Sequence, residues 1–127
     1  MASMRILELT HFSAGICGVW QRVKQESLLL SKKDHNVLVI SSNATKDSVE
    51  IAPKSENLEG VKIIRKPFKK IASEGYMDWD FEKEALDFKP DVIIAHSYRQ
   101  IHTSKALKIA KKTNARVFLV THASFAR

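Results

Sequence analysis

Cysteine is almost missing from this sequence, with Cys17 the single one in 127 residues. A lone thiol excludes an internal disulfide and fits a reducing compartment, so the expected location is the cytoplasm. Long apolar runs are missing as well. None approaches the roughly 20 residues that cross a bilayer. No leader peptide precedes the first strand-like segment, and Met1-Ala2-Ser3 reads as an added scar before a natural start at Met4. Residues 4–127 are then the domain, and the Asn43-Ala44-Thr45 glycosylation sequon is set aside for want of a secretion signal. Nor is there a basic tract interleaved with aromatics, so a nucleic-acid partner would rest on the net charge of +7 alone.

What is present suits one soluble domain. Hydrophobic residues make up 44% of the chain, enough for a core, and 28% charged residues is ordinary. The lysines gather in small groups, Lys32-Lys33, Lys66 with Lys69-Lys70, and Lys105, Lys108, Lys111 and Lys112. Solvated helix faces account for them, with peripheral contact at an anionic membrane surface as the second reading.

Short apolar runs alternate with helical periodicity. Arg5 to Thr10 reads as a strand, and a turn carrying Gly15 and Gly18 leads into a helix over about Gly18 to Ser31. Val19, Val23, Ser27 and Leu30 share its inner face. Val37 to Ile40 is a strand buried on both faces, and Val61 to Arg65 is a third strand. Residues 41–60 and 68–79 read as irregular. Asp80 would cap a short helix burying Phe81, Ala85 and Phe88, which Pro90 ends. Asp91 to Ala95 is the fourth strand, and Ile101 to Thr113 a helix with Ala106, Leu107, Ile109 and Ala110 inward. Asn114 stops that helix, and Arg116 to Val120 is the fifth strand.

Strands alternating with helices predict a parallel, doubly wound sheet covered on both faces, a three-layer α/β/α arrangement of Rossmann type. Ligands of such sheets bind beyond the carboxyl ends of the strands. Three polar clusters fall there: His11 to Gly18, His96 to Arg99, and Thr121 to Ser124. A helix opening at a glycine turn also presents free amide N–H groups and a positive dipole end to a phosphate or carboxylate.

Three segments carry a resemblance. Gly18-Val19-Trp20-Gln21-Arg22-Val23 with Lys33-Asp34-His35-Asn36-Val37, then Lys89-Pro90-Asp91-Val92-Ile93-Ile94-Ala95-His96-Ser97, then Val120-Thr121-His122-Ala123-Ser124, stand in order along the chain. Together they resemble the N-terminal half of group 1 (family-4) glycosyltransferases of GT-B architecture. Cys17 stands where that family has the first glycine of a pair, Ile94 where it has the first histidine of a His-x-His element, and Asp34 where it has a helix-ending glycine. Aspartate tolerates the left-handed conformation such a glycine adopts.

The resemblance implies a retaining hexosyl transfer from a nucleotide-sugar donor to a sugar or lipid-linked acceptor, with no metal and no cofactor beyond the donor. The chain would be the acceptor-side domain, inactive by itself because the donor-binding domain is absent. Gly15, Gly18 and Val19 would approach the donor diphosphate, His122 the transferred sugar with His96 as a further catalytic candidate, and Trp20, Tyr98 and Arg99 the acceptor. Trp20 reads equally as a packing residue, Cys17 at a helix start could be a reactive thiol, and His11 and His102 take no role. The competing expectation is a free-standing α/β module that binds a phosphorylated or anionic partner. Since the sequence stops just after an apolar strand, a neighbouring copy could cover that edge by self-association.

Overall fold

The computed structural model describes residues 3–15, 17–45, 51–70, 77–97 and 100–121. The chain runs β1 (Arg5–Thr10), α1 (Gly18–Lys32), β2 (Asn36–Ser42), β3 (Ser55–Leu58), β4 (Val61–Lys66), β5 (Phe68–Lys70), β6 (Met77–Trp79), α2 (Glu82–Phe88), β7 (Val92–His96), α3 (Ile101–Thr113) and β8 (Arg116–Val120). The main sheet has six strands in the order β3-β4-β2-β1-β7-β8. Every pairing in it is parallel except β3 with β4, so the five parallel strands are the five expected from the sequence. The strand order reverses between β1 and β7, which makes the gap beyond their carboxyl ends the topological switch point of a Rossmann-like sheet.

Alternation along each strand sorts the core into two layers. Leu7, Leu9, Leu38, Ile40, Ile93 and Ala95 point to one face and pack with Trp79, Phe81 and Ala85 and with Ala106 and Ile109 of α3. Ile6, Val37, Val39, Val61 and Ile63 point to the other and pack under α1 through Trp20 and Val23. One helix therefore covers one face and two cover the other, as the three-layer expectation required.

Four expectations need correction. The 41–60 segment is not all loop: β3 pairs with β4 and an isolated bridge joins Ala44 to Ile51. The 68–79 segment holds a hairpin, in which Phe68 pairs with Trp79. Such short strands, polar in the case of Ser55–Leu58, carry too little apolar alternation to register as strands. The third correction is the start of α2, where Phe81 occupies the N-cap without a side-chain hydrogen bond and Asp80 does not cap. Lastly, Leu107 lies on the outer side of α3 and is 48% exposed.

Helix ends match the chemistry read from the sequence. Asp34 (φ 69°) and Asn114 (φ 62°) take the left-handed conformation that stops α1 and α3. Along β8, Phe118 and Leu119 are exposed. Among the described residues no helix is long and apolar enough to cross a membrane.

Candidate functional site

The loop after β1 is held down by buried polar contacts. Arg65, on β4 and itself buried, donates from Nε to Ser13 Oγ (2.9 Å) and from Nη2 to Ser13 O (2.7 Å). Its remaining bonds run to Pro53 O (3.0 Å) and Glu56 Oε1 (2.8 Å). Ser13 Oγ also meets Ser41 Oγ at 2.5 Å, and Ser42 Oγ donates to His11 O at 2.5 Å. Two serines at the carboxyl end of β2 and one guanidinium thus fix the path that leads into α1.

The start of α1 is open and has no side-chain cap. Cys17 is the N-cap residue and makes no side-chain cap, and the first turn holds no acidic residue. Among the described residues, then, the first amide N–H groups of α1 have no N-cap side chain as acceptor. A Cβ added at Gly18 would meet nothing within 4 Å, so the backbone there opens onto free space. Gly15 has φ +76°, where a side chain is strained, and its missing Cβ would lie 3.6 Å from Thr45 Cβ. Val19 is half-buried beside that opening, whereas Trp20 is buried in the core layer under α1 with Cys17 and Val23.

His96, at the end of β7, is buried and faces the same layer as α1. Its Nε2 lies 2.6 Å from Oε1 of Glu8 on β1 and 3.5 Å from Oε2 of Glu26 on α1. Ser27 Oγ adds a 3.4 Å contact to Glu8 Oε2. Burial raises the Glu8 carboxyl to about 8, offset only partly by the hydrogen bond to His96. For His96, burial acts downward but is outweighed by hydrogen bonds to Glu26 and Glu8 and by their charges, leaving it raised to about 9. The hydrogen bond to His96 holds Glu26 below the usual carboxylate range. Near neutral pH the cluster is then a protonated Glu8, an imidazolium and a Glu26 carboxylate, with no net charge in a poorly solvated place.

A second pair of imidazoles sits on the opposite side of the same switch point. His11 and His102 stack edge-on with ring centroids 4.7 Å apart, and Trp79 lies 5.4 Å from His102. His102 Nε2 is 2.6 Å from His96 O and so donates to it. Among the described residues, His11 Nε2, His102 Nδ1 and Trp79 Nε1 are buried without a hydrogen bond. Burial lowers His11 to about 4, and burial followed by the charge of His11 lowers His102 to about 3, so both rings are neutral at pH 7.

Gly15, Gly18, Val19 and His96 therefore lie at the carboxyl ends of β1 and β7 or on the helix that follows. His122, Tyr98 and Arg99 lie outside the described residues. Sequence reasoning passed over Glu8, Glu26, Arg65 and the His11–His102 pair. Glu8 carried a usable signal, since a carboxylate inside Ile6-Leu7-Glu8-Leu9 interrupts a run that otherwise belongs wholly to the interior. No protein-family model and no curated protein matches this chain.

Proposed function

We propose that this chain is the N-terminal, acceptor-side domain of a retaining GT-B glycosyltransferase that moves a sugar from a nucleotide-sugar donor to an acceptor. The observation that carries the reading is the uncapped start of α1 at Gly18, opening beside the β1/β7 switch point and braced by the Ser13–Arg65 contacts. The ordered resemblance of the Gly18, His96 and His122 segments supplies the reaction class. In this reading the backbone at Gly15, Gly18 and Val19 receives the donor diphosphate, His122 acts beside the transferred sugar, and Tyr98 and Arg99 line the acceptor side. The buried position of Trp20 favours a packing role over contact with the acceptor. Exposed Phe118 and Leu119 on β8 support an apolar neighbour at that edge, a second copy included.

The net charge of +7 favours a second reading, an anion-binding module with no transferase role. Both are tested by protein-detected NMR with UDP-glucose, GDP-mannose and inorganic diphosphate, using Gly18→Val as the control. A Cβ at that position meets nothing within 4 Å. Amide shifts at Gly15, Gly18 and Val19 that need the nucleotide-sugar and vanish in the control support the transferase domain. Equal shifts from diphosphate alone favour the anion module, and no shift at those amides with any of the three removes the site.

A further inference from the structure

Glu8 is wholly buried on a strand whose neighbours are aliphatic, an expensive position for a carboxylate unless something cationic meets it. It does not stand alone. One oxygen each from Glu8 and Glu26 and the Nε2 nitrogen of His96 all lie within 4.8 Å of one another. The three residues come from β1, α1 and β7, so the convergence is built by the tertiary fold and not by one flexible segment. The Oε2 atom of Glu26 is itself shut off from solvent and lies 3.5 Å from Nε2 of the imidazole.

A cation 2.0–2.2 Å from each of three ligand atoms holds those atoms about 2.9–3.6 Å apart. The His96–Glu26 separation of 3.5 Å already falls in that range, and the 2.6 Å His96–Glu8 contact needs to open by only a few tenths of an ångström. Binding displaces the protons held by Glu8 and His96, and the two carboxylates then offset a dipositive charge. An imidazole with two carboxylates suits zinc, manganese, iron(II) or cobalt more than the all-oxygen shells of magnesium or calcium. The Glu26 side chain, 40% exposed, gives the ion a way in from solvent and leaves room for water on the remaining coordination positions.

We propose that Glu8, Glu26 and His96 form a binding site for a first-row divalent cation that ties α1 to β1 and β7. The site does not rest on the transferase reading, although it uses His96, and its role is to brace the helix that opens at Gly18.

Isothermal titration of the metal-free chain with Zn²⁺ at pH 8, where protons on Glu8 and His96 compete less than at neutral pH, tests it. Co²⁺ absorption in the visible region then reports the ligand set. Saturable binding of one equivalent is expected, with a rise in Tm, and affinity falling at least about 100-fold in Glu26→Gln and in His96→Gln. Circular dichroism confirms that each variant is folded. Should His96→Gln fail to fold, the half-exposed Glu26→Gln still decides the matter. Zn²⁺ bound as tightly by folded Glu26→Gln as by the parent, or no saturable binding below about 1 mM, overturns the proposal.

Discussion

Arg65 directs two of its four side-chain hydrogen bonds to Ser13, one to the hydroxyl and one to the carbonyl, across the carboxyl edge of the sheet. The contact couples an interior strand to the loop that presents the start of α1, so sheet packing and site geometry share one side chain.

Replacing Arg65 should therefore loosen the loop as well as lower stability. Arg65→Met keeps much of the apolar stem but leaves Ser13 O and Pro53 O without their donors. A loss of roughly 2–3 kcal/mol is expected from urea denaturation, given the penalty for stranding buried acceptors. The amides of residues 11–15 should also exchange faster with solvent. A change below about 0.5 kcal/mol with unaltered exchange would mean the guanidinium does not brace that loop.

The two glycines before and at the start of α1 should respond in opposite directions. Gly15 needs a positive φ, so Gly15→Ala forces a side chain into left-handed backbone and should cost about 1 kcal/mol. Gly18 has helical backbone and open space around its missing Cβ, so Gly18→Ala should be neutral or stabilise by up to about 1 kcal/mol. Thermal unfolding of both variants checks the pair. If Gly15→Ala is the more stable of the two, the conformational assignment of the turn is wrong.

The neutral His11 should make the protein sensitive to acid. Its folded pKa, lowered to about 4 by burial, lies below the ordinary value of 6.5, so between those limits the unfolded chain binds the extra proton. Stability from this group is complete above pH 6.5 and is lost as pH falls toward 4. Glu8 works the other way. Its raised pKa gives stability that is present below about 4.5 and lost as pH rises toward 8. The His11 contribution is therefore read as a difference. Chemical denaturation from pH 7 to pH 4 should show a shallower loss of stability in His11→Phe than in the parent. Parallel curves would show that His11 does not titrate as its burial requires.

Much of the fold was legible because strand and helix periods alternate cleanly along the chain. Arg5–Thr10, Ile101–Thr113 and Arg116–Val120 match the boundaries read from the sequence residue for residue. The left-handed stops at Asp34 and Asn114 were also readable, since few residue types other than glycine accept that backbone. Strand β3 and the β5–β6 hairpin were not, because their identity comes from pairing with a partner and not from their own pattern. The site was half legible. Topology alone carries Gly18 and His96 to one end of the sheet, but nothing local says that Glu26, nine residues into a helix, meets an imidazole from another strand.

Leu107 shows where periodicity misleads, and it supplies the last prediction. Ala106, Leu107, Ile109 and Ala110 form a dense apolar group in sequence, yet a helix advances about 100° per residue and cannot bury adjacent positions equally. Ile109 is 2% exposed against the sheet, whereas Leu107 is 48% exposed. Ile109→Ala should then cost about 2–4 kcal/mol through lost burial and the cavity left behind. Leu107→Ala should change stability by less than about 1 kcal/mol, since little of its surface is removed from water on folding. Urea denaturation of the two variants side by side decides it. Comparable losses would mean that the outer side of α3 is covered in solution, and the orientation of the helix on the sheet would need to be redrawn.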